Sequence, residues 1–138
     1  AGYGLGGRVR FTGLVAPETI PAWFEQMDVA VAPYPDLEGF YFSPLKVYEY
    51  MAAGLPVVAS RIGQLEQLIA DRRTGLLVRP GDVGELARAL VELSSDGVLR
   101  RTLGASARSL VEAKHSWSRV AGRILELAGR AALHEEVA

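Results

Sequence analysis

The stretch from Ser43 to Ser60, Ser-Pro-Leu-Lys-Val-Tyr-Glu-Tyr-Met-Ala-Ala-Gly-Leu-Pro-Val-Val-Ala-Ser, constrains the fold more than any other part of the chain. It carries the start and stop signals of one helix, followed almost at once by an apolar run. Ser43 has the side chain of an N-cap, and Pro44 fits the first helical position, where a missing N–H costs nothing. Gly54 suits the left-handed position after a helix, and Pro56 cannot continue one. The spacing predicts a helix over 44–53 and a strand over 56–59. A helix that feeds a short apolar strand through so brief a link belongs to a parallel sheet covered on both faces.

The remainder repeats this alternation. Val9-Arg10-Phe11-Thr12 alternates as a strand, closed by Gly13. Pro21 opens a helix carrying Trp23, Phe24 and Met27, and the run from Asp28 to Pro33 reads as a strand buried on both faces. Residues 34–42 form a turn-rich, aromatic loop. A short helix over 64–71, a short strand over 75–78 and a helix over 83–94 follow. Two more helices are expected near 98–113 and 117–132, the second capped by Ser116. Strands alternating with helices give an α/β fold with a Rossmann-like parallel sheet flanked by helices. One domain is expected over 1–133, with 134–138 a frayed tail. The run from Gly2 to Gly7 superficially resembles a dinucleotide fingerprint, but that motif needs a strand before it and a helix after it. It reads as a loop.

Composition excludes several classes of function. The 15 basic and 16 acidic residues are spread along the chain, so there is neither a nucleic-acid footprint nor a polybasic tail. Without cysteine there is no disulfide framework, thiolate metal site or cysteine nucleophile, which agrees with a reducing cytoplasm. No apolar run approaches the roughly 20 residues that span a bilayer, and no signal peptide is visible. The opening at Ala1-Gly2, without Met, reads as the start of a fragment.

One residue is out of place by helix rules. With Ser43 as the cap, Lys46 occupies the third helical position, where a capping box puts Glu or Gln. A cation there opposes the helix dipole at a cost of about 0.3–1 kcal/mol when nothing is bound. Placing it there makes sense if an anion docks at the helix start, since backbone N–H groups, dipole and ammonium then all point at it. Glu49 lies on the same face one turn deeper. A cation for phosphate and a carboxylate for sugar hydroxyls are the polar equipment of a nucleotide-sugar site. The competing reading is a surface helix whose Lys46 and Glu49 are simply solvated.

The order of the pieces resembles the C-terminal, nucleotide-sugar-binding half of retaining glycosyltransferases of the GT-B fold, the group 1 family (family 4). The likeness is carried by Phe11-Thr12-Gly13, by Pro44-Leu45-Lys46 through Glu49-Tyr50-Met51-Ala52-Ala53-Gly54 to Pro56-Val57-Val58-Ala59, and by Gly63 with Glu66. It continues with Thr74-Gly75-Leu76-Leu77-Val78, Pro80-Gly81-Asp82 and Ser116-Trp117. The resemblance implies that Glu49 holds the donor ribose and that Ser43, Pro44, Leu45 and Lys46 receive the donor diphosphate. Gly13, Leu14 and Val15 match the segment that lies along the nucleobase. Leu14 and Val15 are equally readable as turn residues, and Glu66 as a support for its own loop. The family's first Glu, which contacts the transferred sugar, should stand eight residues before Glu49, where this chain has Tyr41. Glu38 or Tyr41 is therefore the candidate sugar contact. The family's donor domain also begins with two more strand–helix units, and its acceptor domain precedes them; neither is in this sequence.

These features imply transfer of a sugar from a nucleotide diphosphate donor to an acceptor hydroxyl, with the acceptor bound by an absent N-terminal domain. The expectation includes no cofactor and no metal: the chain has no Asp-x-Asp, and His115 and His134 stand outside every motif. The parent is expected in the cytoplasm, with peripheral attachment to the inner face of the membrane as an option. Alternatives are a sugar-nucleotide epimerase of the same fold, a catalytically silent nucleotide-sugar-binding module, and a free-standing flavodoxin-like domain.

Overall fold

The computed structural model describes residues 4–36 and 43–135. Three short, mainly apolar runs pair side by side: β1 (Ala30–Ala32), β2 (Val57–Ser60) and β3 (Leu76–Val78). All pairings are parallel, in the order β1-β2-β3, with Val31 opposite Val58 and Val58 opposite Leu76. After a single 3-10 turn at Pro17–Thr19, the helices are α1 (Ile20–Phe24), α2 (Leu45–Ala52), α3 (Leu65–Leu68), α4 (Val83–Ser95), α5 (Gly97–Lys114) and α6 (Trp117–Glu135).

Strand alternation divides the core between the two faces of the sheet. Ala30, Ala32, Val57, Ala59 and Leu77 face Val47 and Met51 of α2 together with Ala107 and Val111 of α5. Val58, Leu76 and Val78 face Ala89 and Leu93 of α4 and Leu103 of α5. Apolar burial on both faces is what an all-parallel sheet requires. It is incomplete at β1, where Val31 remains 41% exposed. The expectation of a strand over 28–33 buried throughout is corrected accordingly. Val31 projects to the face that α4 covers, and β1 lies at the sheet edge away from β3.

A second correction concerns Val9–Thr12. These residues form no strand, and Phe11 is 92% exposed. Alternation is a local property, whereas a strand needs a neighbour to take its hydrogen bonds; among the described residues none pairs with this segment. α6 extends to Glu135, with the side chains of Trp117, Ile124 and Leu125 largely exposed.

Two glycines lock α2 against α5. Gly54 has φ +76°, and its N–H reaches the Met51 carbonyl at 3.0 Å while the Leu55 N–H reaches Tyr50 at the same distance. This pair of bonds is the Schellman arrangement, and it turns the chain sharply from α2 into β2. On α5, a Cβ at Gly104 would sit 2.0 Å from the Gly54 carbonyl oxygen. The two backbones therefore touch directly, and only glycine permits it. Gly104→Ala is expected to destabilise the fold by about 3 kcal/mol, the upper end for overpacking. Gly122→Ala, where an added Cβ meets nothing within 4 Å on α6, should instead be neutral or stabilising. Denaturant unfolding of the two variants checks the contrast; equal effects would contradict it.

Asp82 caps α4 by accepting the Glu85 N–H at 2.8 Å, and it pairs with Arg79 at 2.6 Å. The Glu85 N–H, with Arg79 and Arg88 behind it, holds the Asp82 carboxyl below its ordinary value. A depressed folded-state value means that the cap contributes fully above the unfolded value and is lost as pH falls through the folded one. Asp82→Asn should therefore flatten the loss of thermal stability on acidification. Identical pH profiles for variant and wild type would refute this.

Candidate functional site

The carboxyl ends of the three strands meet at one point, and Tyr34 occupies it. Leaving β1, the chain places the Tyr34 N–H 2.7 Å from the Ser60 hydroxyl at the end of β2, and that hydroxyl donates back to the Tyr34 carbonyl at 3.0 Å. Gly81, just past β3, donates its N–H to the same carbonyl at 3.1 Å. Ser60 is 1% exposed, so its hydroxyl must find partners inside the protein, and Tyr34 supplies both. Ligands of open parallel sheets bind beyond this end of the strands.

The start of α2 adjoins the same region. The structure caps the helix at Pro44 rather than Ser43, with no side-chain capping bond, and the helix runs over Leu45–Ala52 rather than 44–53. Buried Pro44 packs beneath the turn, and its carbonyl accepts from Val47 at 2.8 Å and Tyr48 at 3.1 Å. Once the proline lies outside the helix, Lys46 becomes the second helical residue instead of the third. The conflict with the helix dipole persists in the first turn. The Lys46 ammonium lies 5.0 Å from the centre of the Tyr34 ring, within range of a cation–π interaction.

Glu49 is exposed one turn further along α2, at the rim of two apolar clefts. The first, about 550 Å3, lies between α1 and the later part of α2, lined by Pro17, Ile20, Phe24, Ala52 and Ala53. Its wall is stiffened by Phe24 packed edge-on against Tyr50, ring centres 5.5 Å apart. The second, about 380 Å3, lies between α2 and the base of α6, lined by Leu45, Tyr48, His115, Trp117 and Val120. Of the expected nucleobase segment, Gly13 takes a left-handed φ of +64° and Leu14 is fully exposed. Val15 is partly buried, directly before the 3-10 turn that leads to the first cleft. Glu66 is exposed on α3 and lines neither cleft. The expected sugar contacts Glu38 and Tyr41 lie outside the described residues. Among the described residues, no three His, Cys, Asp or Glu side chains gather as a metal site. No helix among them is long and apolar enough to cross a membrane.

Sequence reasoning brought out Lys46 and Glu49 but missed Tyr34, whose role rests on Ser60 and Gly81, both distant in sequence. His115, which stands outside every motif, packs its ring against Tyr48 at 5.1 Å between centres.

Comparison with known proteins gives these positions a context. Residues 1–96 match the family model of the glycosyl transferases group 1. The chain is 36% identical over 124 residues to a phosphatidyl-myo-inositol mannosyltransferase of Mycobacterium leprae, covering 90% of this chain and 32% of that protein. It superposes on the sucrose-phosphate synthase of Thermosynechococcus elongatus with a TM-score of 0.83 at 34% identity, covering 96% of this chain and 32% of the other. Anabaena Alr3699/HepE in complex with UDP-glucose gives 0.80 at 26% identity, covering 92% and 34%. The chain thus spans about a third of the length of these relatives.

Proposed function

The chain belongs to the group 1 glycosyl transferases, and on that premise we propose that it forms the donor-binding part of an enzyme that transfers a sugar from a nucleotide diphosphate. The observation that carries this reading is the order of groups along α2. Lys46 stands at the helix start, Glu49 a turn later, and Ala52 and Ala53 at the floor of the apolar cleft beyond. At about 1.5 Å rise per residue these positions are spaced like the parts of a nucleotide. Diphosphate sits at the helix start on Ser43, Pro44, Leu45 and Lys46, ribose on Glu49, and the base in the cleft beside Gly13, Leu14 and Val15. UDP-glucose in Alr3699/HepE supports a nucleotide-sugar ligand for this fold.

The chemistry follows from where charge develops. As the bond from the anomeric carbon to the diphosphate lengthens, the sugar becomes cation-like and the departing phosphate gains negative charge. Helix-start N–H groups and the Lys46 ammonium are oriented for that charge before it forms, and preorganised donors are the largest single contribution in such steps. Glu49 can accept a hydrogen bond from each ribose hydroxyl, which fixes the nucleoside while the sugar departs. The acceptor, the transferred sugar and a cytoplasmic setting enter this reading from the family likeness.

Lys46→Ala in the full-length gene product should weaken nucleoside diphosphate binding by about 1.5–3 kcal/mol, as for a hydrogen bond to a charged group. Calorimetry on a folded variant checks it, and unchanged affinity would remove the diphosphate assignment. For Glu49, a donor lacking both ribose hydroxyls should bind wild type and Glu49→Ala with similar affinity, and Glu49→Gln should bind the normal donor better than Glu49→Ala does. Full discrimination against the deoxygenated analogue by Glu49→Ala would place the ribose elsewhere.

A further inference from the structure

We propose that Tyr34 is the positioning residue for Lys46: its ring holds the ammonium at the start of α2, in place to receive the donor diphosphate. The proposal rests on the donor reading above and adds a residue to it. Three observations meet at Tyr34. Its backbone is tied to the ends of β2 and β3 through Ser60 and Gly81, which gives the ring a rigid base on the sheet. The ring packs against the buried cluster beneath α2. Its face stands 5.0 Å from the Lys46 nitrogen. A lysine side chain has four rotatable carbons and a strongly hydrated head, so an unrestrained one must be ordered when the anion binds. A ring already holding it on one side removes part of that ordering from the binding step.

This arrangement gives β1 a function in the site. The strand ends at Ala32, and the turn through Pro33 brings the tyrosine over the ends of the other two strands. The sheet thereby sets the position of a charge carried by a helix. Glu49, one turn deeper, does not depend on this contact, so the proposal separates diphosphate recognition from ribose recognition.

The test is a double-mutant cycle in the full-length gene product, with UDP and GDP as probes and uridine and guanosine as controls without phosphate. Tyr34→Leu should weaken binding of the probe diphosphate about threefold to thirtyfold, the range of a cation–π contact from exposed to desolvated. Tyr34→Phe, which keeps the ring, should stay within about twofold of wild type. In the Lys46→Ala background Tyr34→Leu should cost nothing further, and nucleoside affinity should not change. Loss of nucleoside binding in parallel, or an undiminished loss in the Lys46→Ala background, would show a merely structural role and overturn the proposal. So would unchanged or tighter diphosphate binding by Tyr34→Leu while Lys46→Ala still weakens it, an outcome that leaves the donor reading intact. A weak effect of Lys46→Ala itself would instead remove the donor reading. A spectroscopic readout needs no Tyr34 variant. The Lys46 ε-methylene protons of the full-length gene product can be assigned by NMR from the signal that Lys46→Ala removes. They should be shifted upfield by the ring, and random-coil shifts would overturn the proposal even if Tyr34→Leu fails to fold.

Discussion

The backbone contact between Gly54 and Gly104 is the constraint on which the site depends. α2 presents its chemistry at its first turns, yet its position is set at its last. There the Schellman turn at Gly54 directs the chain into β2, and α5 presses on the same carbonyl through a position that admits no side chain. Met51 and Val47 then bury one face of α2 against the sheet, together with Ala107 and Val111 of α5. A helix anchored along one face and at its far end has little freedom to shift its near end. The first turn, with Lys46, is thereby aimed at the strand ends without any side-chain cap of its own.

At those strand ends the structure solves a second problem. A cation in the first turn of a helix is disfavoured by the dipole, and a flexible lysine is a poor fixed charge. Tyr34 answers both: its ring offers electron density where the helix offers none, and Ser60 and Gly81 hold it in place. The hydroxyl of Ser60 has exchanged water for two backbone partners, so the contact belongs to the core rather than to the surface. Rigidity in the sheet thus becomes precision in the site, as catalytic preorganisation requires.

The parts legible in the sequence are those set by local chemistry. Gly54 and Pro56 fixed the end of α2 because only glycine tolerates the left-handed turn and proline cannot prolong a helix. Lys46 stood out because the dipole gives its position a sign, and Ser116 announced a helix start through its side chain. What failed or was missed depends on partners distant in the chain. Val9–Thr12 alternates like a strand, yet among the described residues no strand pairs with it. Val31 belongs to an apolar run and faces the side of the sheet that α4 covers, but it sits on the edge strand away from β3 and so stays exposed. Ser43 carries a capping side chain, but burial of Pro44 moved the cap one residue on. No pattern at residues 34–36 connects Tyr34 to Lys46; the link exists only once three strand ends are brought together. The family likeness carried by motifs such as Pro44-Leu45-Lys46 and Gly54-Leu55-Pro56 agreed with the match to the group 1 glycosyl transferases.

The central claim is that α2 reads the donor in order, phosphate at its start and ribose one turn on. A crystal structure of the full-length gene product with a bound nucleoside diphosphate, UDP or GDP, tests it most directly. The account predicts phosphate oxygens within hydrogen-bond distance of the Lys46 ammonium and the first-turn N–H groups, both ribose hydroxyls on the Glu49 carboxylate, and the base against Ile20 and Phe24. A diphosphate seated away from α2 would contradict it.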